Sequence, residues 1–546
     1  MAPIPNGARP LVLVLALFIV GVASLTLAAA APGYTGSNGP GAGTDTPAPP
    51  GEEEVTVTVT MDGEPKDAQV VVRNTSGSVV AVRYTNPHTP GRADFSLAPG
   101  QYEFEIDSGG GFVAEKAYRN VTVDSYEIVD VELDRKYEPN DRGYYAGDLH
   151  AHSIYSADTT DSPMDEFVAA QLAADLDILF ISDHNSVQGH SPLKEHARER
   201  GVPYLLSDEL STDIDADRAV DRLQPADPTN ETSGGTYGHF NVYPIEEGRQ
   251  VDWTGDPDDF FASARDAGAT IIQANHPRRD NNYFHHVDSA EYNESYETAE
   301  AYNDNFNSDE VETIDQLFDF WNQSYRYTAT AVSDDHESSD LGDEYANPRT
   351  YAYMEEPPRG VAAGFAKAVD NQNAFITYGP LVYFQSAGGA IPGENVSAPD
   401  GEVTLTADIR NVGELESATL VRNGTVVRNY TLSGRTATIT HEAEVNGSAW
   451  YILRVQDEDG AIGTRAMTNP IWVSESGFGE HTDVVAGQAD GGVENRSDCS
   501  GGQLGNRSDC AGGRGDNRND PAANRGSARP TDTATAHAAA MRLAAE

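Results

Sequence analysis

Ten of the 14 histidines in this chain fall between residues 150 and 336. Two of them stand two apart in the segment DLHAHS, as His150 and His152. Alternate side chains on a strand share a face, so both imidazoles can reach one metal ion. The other ligand-type residues have a common placement. Asp183 and His184 directly follow the apolar run LDILFIS, and Glu209 follows YLLSD. His239 opens HFNVY after a Gly-rich loop, His276 follows ATIIQAN, and Asp334 and His336 follow YTATAVS. The C-terminal ends of apolar β runs are where open or barrel α/β sheets assemble their sites. A lone loop histidine is usually just solvated, and an aspartate after a strand often caps a helix. Six histidines and several carboxylates repeating one placement argue for a shared centre.

The segments DLHAHS, ISDHN, SDEL, ANHP and VSDDH match, in order, the motifs of the PHP (polymerase and histidinol phosphatase) metallohydrolase superfamily. The single GHFNVY motif and the flanking β-domains most resemble its carbaryl-hydrolase-like (CehA/McbA-type) branch. The resemblance covers about residues 143–385. It implies a distorted seven-stranded β/α barrel with two or three divalent metal ions at its C-terminal mouth. It also implies metal ligation by His150, His152, Asp158, His184, Glu209, His239, His276, Asp334 and His336, with Glu209 bridging. Two departures leave alternatives open: SADTTD replaces the usual S-D-G, so Asp161 competes with Asp158, and Asp335 competes with Asp334.

Six imidazoles with three carboxylates suit Zn²⁺, Mn²⁺ or Fe²⁺ better than Mg²⁺. Clustered cations make water more acidic and polarise phosphoryl or carbonyl oxygens. The expected reaction is hydrolysis of a phosphoester by a metal-activated hydroxide, with carbamates or esters as the other candidate substrates. Glu209 and Asp183 are the candidate catalytic residues, Asp183 by orienting a ligand histidine or, equally, by capping a helix. Arg278 and Arg279 follow the His276-Pro277 turn and are candidates to hold a phosphate or carboxylate. His190, His285 and His286 match no ligand position and read as surface residues. Alternative functions are a 5′→3′ exonuclease or nucleotide phosphatase, and a non-catalytic cell-surface binding protein.

The elements that must position these residues alternate between strand and helix. SPMDEFVAAQLAAD reads as a helix with Ser162 as N-cap and Pro163 at its first position. DPDDFFASARDAG, VETIDQLFDFW and RGVAAGFAKAVDNQNA read as further helices, and ATIIQA and YTATAVS as buried strands. Two all-β segments, each read as a small β-sandwich domain, flank this α/β region. The first, residues 53–136, opens on the alternating VTVTVT and resembles carboxypeptidase-regulatory-like modules; the second spans 386–474. Residues 33–52 read as a Gly/Pro/Thr-rich linker, and 475–546 as a disordered tail carrying a repeated NRSDC.

Leu11–Ala31 is a run of apolar and small residues, long enough to cross a bilayer as a helix and ending in an A-x-A pattern. A cleaved signal and an uncleaved membrane anchor both fit, and either exports the rest of the chain. Eleven N-x-S/T sequons suit an extracellular or outward-facing protein. The 546 residues carry a net charge of −51, with only five lysines. Acid excess with lysine depletion resembles the proteins of extreme halophiles, whose charges are screened within about 3 Å in molar salt. The charge argues against a broad nucleic-acid-binding surface, which must be basic. The expected partner is a small-molecule or nucleotide-like ester. Both cysteines, Cys499 and Cys510, lie in the tail, so the α/β region holds no thiol ligand or nucleophile.

Overall fold

The computed structural model describes residues 49–478, except 160–161, 213–236, 280–281, 291, 305, 339–344 and 459–463. The apolar run, most of the linker, Asp161 and nearly all of the tail lie outside the described residues. By contacts the chain divides into Met1–Ala489 and Asp490–Glu546, and the description concerns the first unit. No helix among the described residues is long and apolar enough to cross a membrane.

The first β region follows from alternation. The strand Glu53–Met61 buries Val55, Val57, Val59 and Met61. It pairs in parallel with Glu127–Leu133 and antiparallel with Arg92–Leu97. A second sheet runs in the order Val79–Tyr84, Gln69–Asn74, Gly100–Asp107, Ala117–Val123. Phe104 of this sheet meets Phe95 of the first edge-on, with ring centroids 5.8 Å apart. Each such buried side chain contributes about 1.5–3 kcal/mol.

The α/β region is mixed rather than uniformly parallel. Leu179–Ile181 pairs in parallel with Tyr204–Leu206. A five-stranded sheet follows in the order Asp208–Ser211, His239–Tyr243, Ile271–Asn275, Thr298–Asn303, Thr328–Val332. Its first three strands are mutually antiparallel and its last three parallel. Tyr144–Gly147 pairs with Arg349–Tyr353, antiparallel, in a different sheet.

The expected closed seven-stranded barrel is therefore not seen among the described residues. The strands fall into separate ladders, linked where they approach the histidines by single parallel bridges, Ala151 to Asp335 and His184 to Glu209. Strands of three to six residues and two antiparallel turns of direction interrupt a regular β/α ring.

The helices arise largely where the periodicity placed them. Pro257–Asp266 is capped by Asp256, whose carboxylate accepts from the backbone N–H groups of Asp258 and Asp259. Ser308–Asn322 starts with a capping box of Asn307 and Glu310. Met164–Ala173 departs from expectation: Pro163 is its N-cap residue, and the buried Ser162 hydroxyl makes no capping bond. Ser162 instead uses its carbonyl to accept from Ile154 N–H at 2.8 Å, which shapes the loop after His152.

The last β region includes Glu402–Arg410, paired antiparallel with Leu381–Ser386 and Thr436–Glu444. Ala466–Thr468 pairs with both Ser448–Asp457 and Ala374–Thr377, so one sheet continues from this region into the α/β region.

Candidate metal centre

Strand ends converge on one cluster, mostly buried, with Asp158 exposed at its rim. After Tyr144–Gly147 the chain runs through Asp148, whose carboxylate accepts from the Ser333 hydroxyl at 2.5 Å and from Ser333 N–H at 3.1 Å. This ties the ends of two strands together. His150 and His152 then lie beside Asp334, and both rings are fully buried. Burial pushes the Asp148 carboxyl up to about 6 despite these bonds.

Glu209 sits at the middle with no exposure. Its Oε2 lies 3.1 Å from His150 Nε2, 3.3 Å from His152 Nε2 and 3.0 Å from His184 Nδ1. Its Oε1 lies 3.0 Å from His239 Nδ1 and 3.9 Å from His276 Nε2. Each carboxylate oxygen therefore faces its own set of imidazoles. Asp334 Oδ1 approaches His150 Nε2 at 3.1 Å and His152 Nε2 at 3.3 Å. Asp158 Oδ2 lies 2.9 Å from both His184 Nε2 and His336 Nε2. His152 and His336 stack with centroids 4.1 Å apart.

All nine candidate ligands thus lie in one cluster. Seven of them form three groups of ion-holding geometry: His152, Asp158, His184 and His336; His150, His152 and Glu209; and His184, Glu209 and His239. Asp334 occupies the position that Asp335 competed for. The Asp335 carboxylate instead accepts from Ala346 N–H at 2.9 Å. His276 and Asp334 hold positive φ angles of 28° and 58°, a conformation non-glycine residues rarely adopt and one that clusters at functional sites.

The donor set fits divalent metal. His150 Nε2 and Glu209 Oε2 are both buried and face each other at 3.1 Å, yet neither makes a well-aligned hydrogen bond. Buried polar atoms left without an aligned hydrogen bond cost about 1–3 kcal/mol each unless something binds them. Burial works against charge on Glu209 and Asp334, yet the surrounding histidines hold both well below the usual carboxylate range. Burial also presses His152 down to about 4, where it is a neutral donor at neutral pH.

Several contacts that orient the ligands lie outside the sequence motifs. Glu300 accepts at 2.8 Å from His150 Nδ1, which turns Nε2 toward the cluster, and its other oxygen accepts from His276 N–H at 2.6 Å. The Asn282 amide lies 2.6 Å from His276 Nδ1, and the Ser211 hydroxyl 2.6 Å from His184 Nδ1. An acid within the buried strand TAEAYN was the available signal for Glu300.

Asp183 touches no ligand ring. Its carboxylate accepts from Ser153 N–H at 2.7 Å and from the Ser153 hydroxyl at 2.9 Å, holding the turn that follows His152. Burial raises it to about 7. Gly189 passes so close beneath that a Cβ there would collide with Ile181 and lie 2.8 Å from Asp183 Oδ2.

The two arginines diverge. Arg279 donates to Asn303 Oδ1 at 2.8 Å and to Asp334 Oδ2 at 3.4 Å, at the edge of the cluster. Arg278 turns to helix Ser308–Asn322 and donates to Gln316 Oε1 at 2.5 Å. His190 is a buried residue, contrary to expectation, with Nε2 2.9 Å from the Ser207 carbonyl; His285 is exposed and His286 half-buried.

No protein-family model matches the chain, and neither does any curated protein. Solved structures do show similarity. A two-domain Bacteroides vulgatus protein, described as containing a predicted PHP-like metal-dependent phosphoesterase, is 17% identical over 61% of this chain and 96% of its own, with a TM-score of 0.35. An amidohydrolase from Chromobacterium violaceum is 14% identical over 40% of this chain and 96% of its own, with a TM-score of 0.26. A CARDB domain from Pyrococcus furiosus is 14% identical over 18% of this chain and 94% of its own, with a TM-score of 0.14.

Proposed function

We propose that this protein is an exported metal-dependent hydrolase of the PHP type, acting on phosphoesters. The observation that carries the reading is Glu209. Its two oxygens face separate imidazole sets, and Oε2 is buried 3.1 Å from His150 Nε2 without a well-aligned hydrogen bond. That arrangement suits a carboxylate shared between two divalent ions.

His150, His152, His184, His239, His276 and His336, with Asp158, Glu209 and Asp334, would hold the ions. When bound, the ions supply Lewis acidity toward an ester oxygen and make water more acidic. The chain's own residues do the rest. Glu300 and Asn282 fix ring orientation from behind. Asp183 and Asp148 hold the two loops on which His152 and Asp334 sit. Arg279, with 43% of its side chain exposed at the cluster edge, is placed to receive an anionic substrate group. Export is supported by the apolar N-terminal run and by sequon asparagines such as Asn120, Asn423 and Asn446, which are all exposed.

The test is a substrate panel of aryl phosphates, nucleotides and aryl esters in molar salt, run on protein stripped with a chelator and then resupplied with Mn²⁺ or Zn²⁺. The reading expects phosphoester hydrolysis that disappears on stripping and returns with metal. Turnover of aryl esters alone would overturn the phosphoester assignment. Absence of metal-dependent turnover on every substrate would leave the binding-protein alternative.

A further inference from the structure

A second group of ligand-type side chains shares no residue with the central cluster. His88 lies in the loop between the strands Val79–Tyr84 and Arg92–Leu97 of the first β region. His196 and Glu199 stand three apart on the helix His190–Arg200, and so on one face of it. One ligand atom from each of the three lies within 4.8 Å of the others.

We infer that His88, His196 and Glu199 form a separate divalent-metal site, suited to Zn²⁺, that staples the first β region to the α/β region.

The chemistry of His196 is the strongest argument. Its Nε2 lies 2.8 Å from Asp165 Oδ1 on helix Met164–Ala173. Donation to that carboxylate leaves the lone pair on Nδ1. That Nδ1 is buried and has no hydrogen-bond partner. A carboxylate behind a histidine whose other nitrogen is unsatisfied is the outer arrangement that orients zinc ligands. A metal ion would satisfy that lone pair.

The other two ligands are already close. His88 Nδ1 lies 3.0 Å from Glu199 Oε2. Ligand distances near 2.0–2.1 Å around a tetrahedral ion place neighbouring ligand atoms about 3.3 Å apart. The His88 and His196 rings are 5.4 Å apart by centroid and tilted by 30°. His88 and Glu199 are 41% and 50% exposed, so an ion can enter from solvent and keep a water as its fourth ligand.

The loop carrying His88 is held independently of any ion. His88 N–H donates to Asn86 Oδ1 at 2.8 Å, and Thr89 N–H to the Asn86 carbonyl at 3.0 Å. Arg200, one residue beyond Glu199, donates to the Pro87 carbonyl at 2.7 Å and to Asp67 Oδ2 at 2.5 Å. Gly91 closes the loop at φ +71°, where a Cβ would press on Val59 and Pro65. The ligands therefore need only small side-chain movement to close on an ion.

The test counts Zn²⁺ bound per full-length chain after gel filtration, for the unmodified protein and for the variants H88A, E199Q and H196Q. Each variant is expected to lose one ion per chain relative to the unmodified protein. The exposed H88A and E199Q should fold normally, which keeps the test valid if H196Q does not. Thermal melting with and without added Zn²⁺ is the second readout, and the Zn²⁺-dependent rise in Tm should be smaller in H88A. Unchanged stoichiometry in both H88A and E199Q, or an equal rise in Tm, would overturn the site.

Discussion

Two buried layers of this molecule are built by opposite rules. In the strand Glu402–Arg410 every second residue is buried, and the buried set is Val403, Leu405, Ala407 and Ile409. At the ends of the α/β strands the fully buried set instead includes His150, His152, Asp183, Glu209 and Asn275. Apolar burial contributes to stability directly. Polar burial of this density is costly unless each group is matched. Here the outer groups are matched by hydrogen bonds, as in the pairs His150–Glu300 and Ser153–Asp183, while the innermost atoms of His150 and Glu209 meet only as a close ion pair without aligned hydrogen bonds. The difference teaches that the apolar layers of the β regions contribute stability, whereas the strand-end layer gathers groups that could hold ions.

Substitutions on the two sides should separate these roles. Replacing Glu209 by Gln removes charge from the shared carboxylate. Turnover should fall by more than the ~10–100-fold typical of losing a group behind a ligand, with the fold intact by circular dichroism. On the other side, Ile409→Ala should cost about 2–5 kcal/mol of stability in denaturant unfolding and leave kcat/KM per folded molecule unchanged. If Ile409→Ala abolished turnover in folded protein, the division of labour would be wrong.

Glu300→Gln tests whether a ligand's backing matters as much as the ligand. Metal affinity should fall by about 10–100-fold, read by competition with a chromophoric chelator. A smaller but sharper effect concerns protons. Burial lowers His336, but its hydrogen bond to the Asp158 carboxylate and the charges of Asp334 and Asp158 outweigh that and raise it to about 8. In metal-free protein this pairing contributes fully below about pH 6.5 and is lost as pH rises through about 8. Metal requires the neutral ring, so metal uptake at pH 7 should release protons and apparent affinity should climb with pH until about 8. Calorimetry in two buffers of different ionisation enthalpy measures the release; no proton release would remove His336 from the ligand set.

The placement of ligand residues after apolar runs was legible because strand ends are local features, and the structure gathers those residues in one cluster. What surrounds them was not. Glu300 meets His150 across 150 residues of chain, and no local period encodes that contact. Arg278 and Arg279 are neighbours in sequence yet face opposite ways, because a turn separates their directions. His190 lacked a motif, so its burial depends on the Ser207 carbonyl and on Gly248, which only the fold brings near. The barrel expectation failed because alternation of strand and helix does not reveal the antiparallel pairings of His239–Tyr243. Ser162 preceded an apolar helix as a cap should, but tertiary contacts enclosed it with Pro163 at the cap position instead.

The most direct test of the central claim is metal analysis of the protein as isolated, paired with aryl phosphate turnover in molar salt for the unmodified protein and for His150→Ala. The account predicts bound transition metal or zinc, turnover that follows metal occupancy through chelation and resupply, and loss of both in His150→Ala. Turnover that persists in metal-free protein, or that is unchanged in His150→Ala, would contradict it.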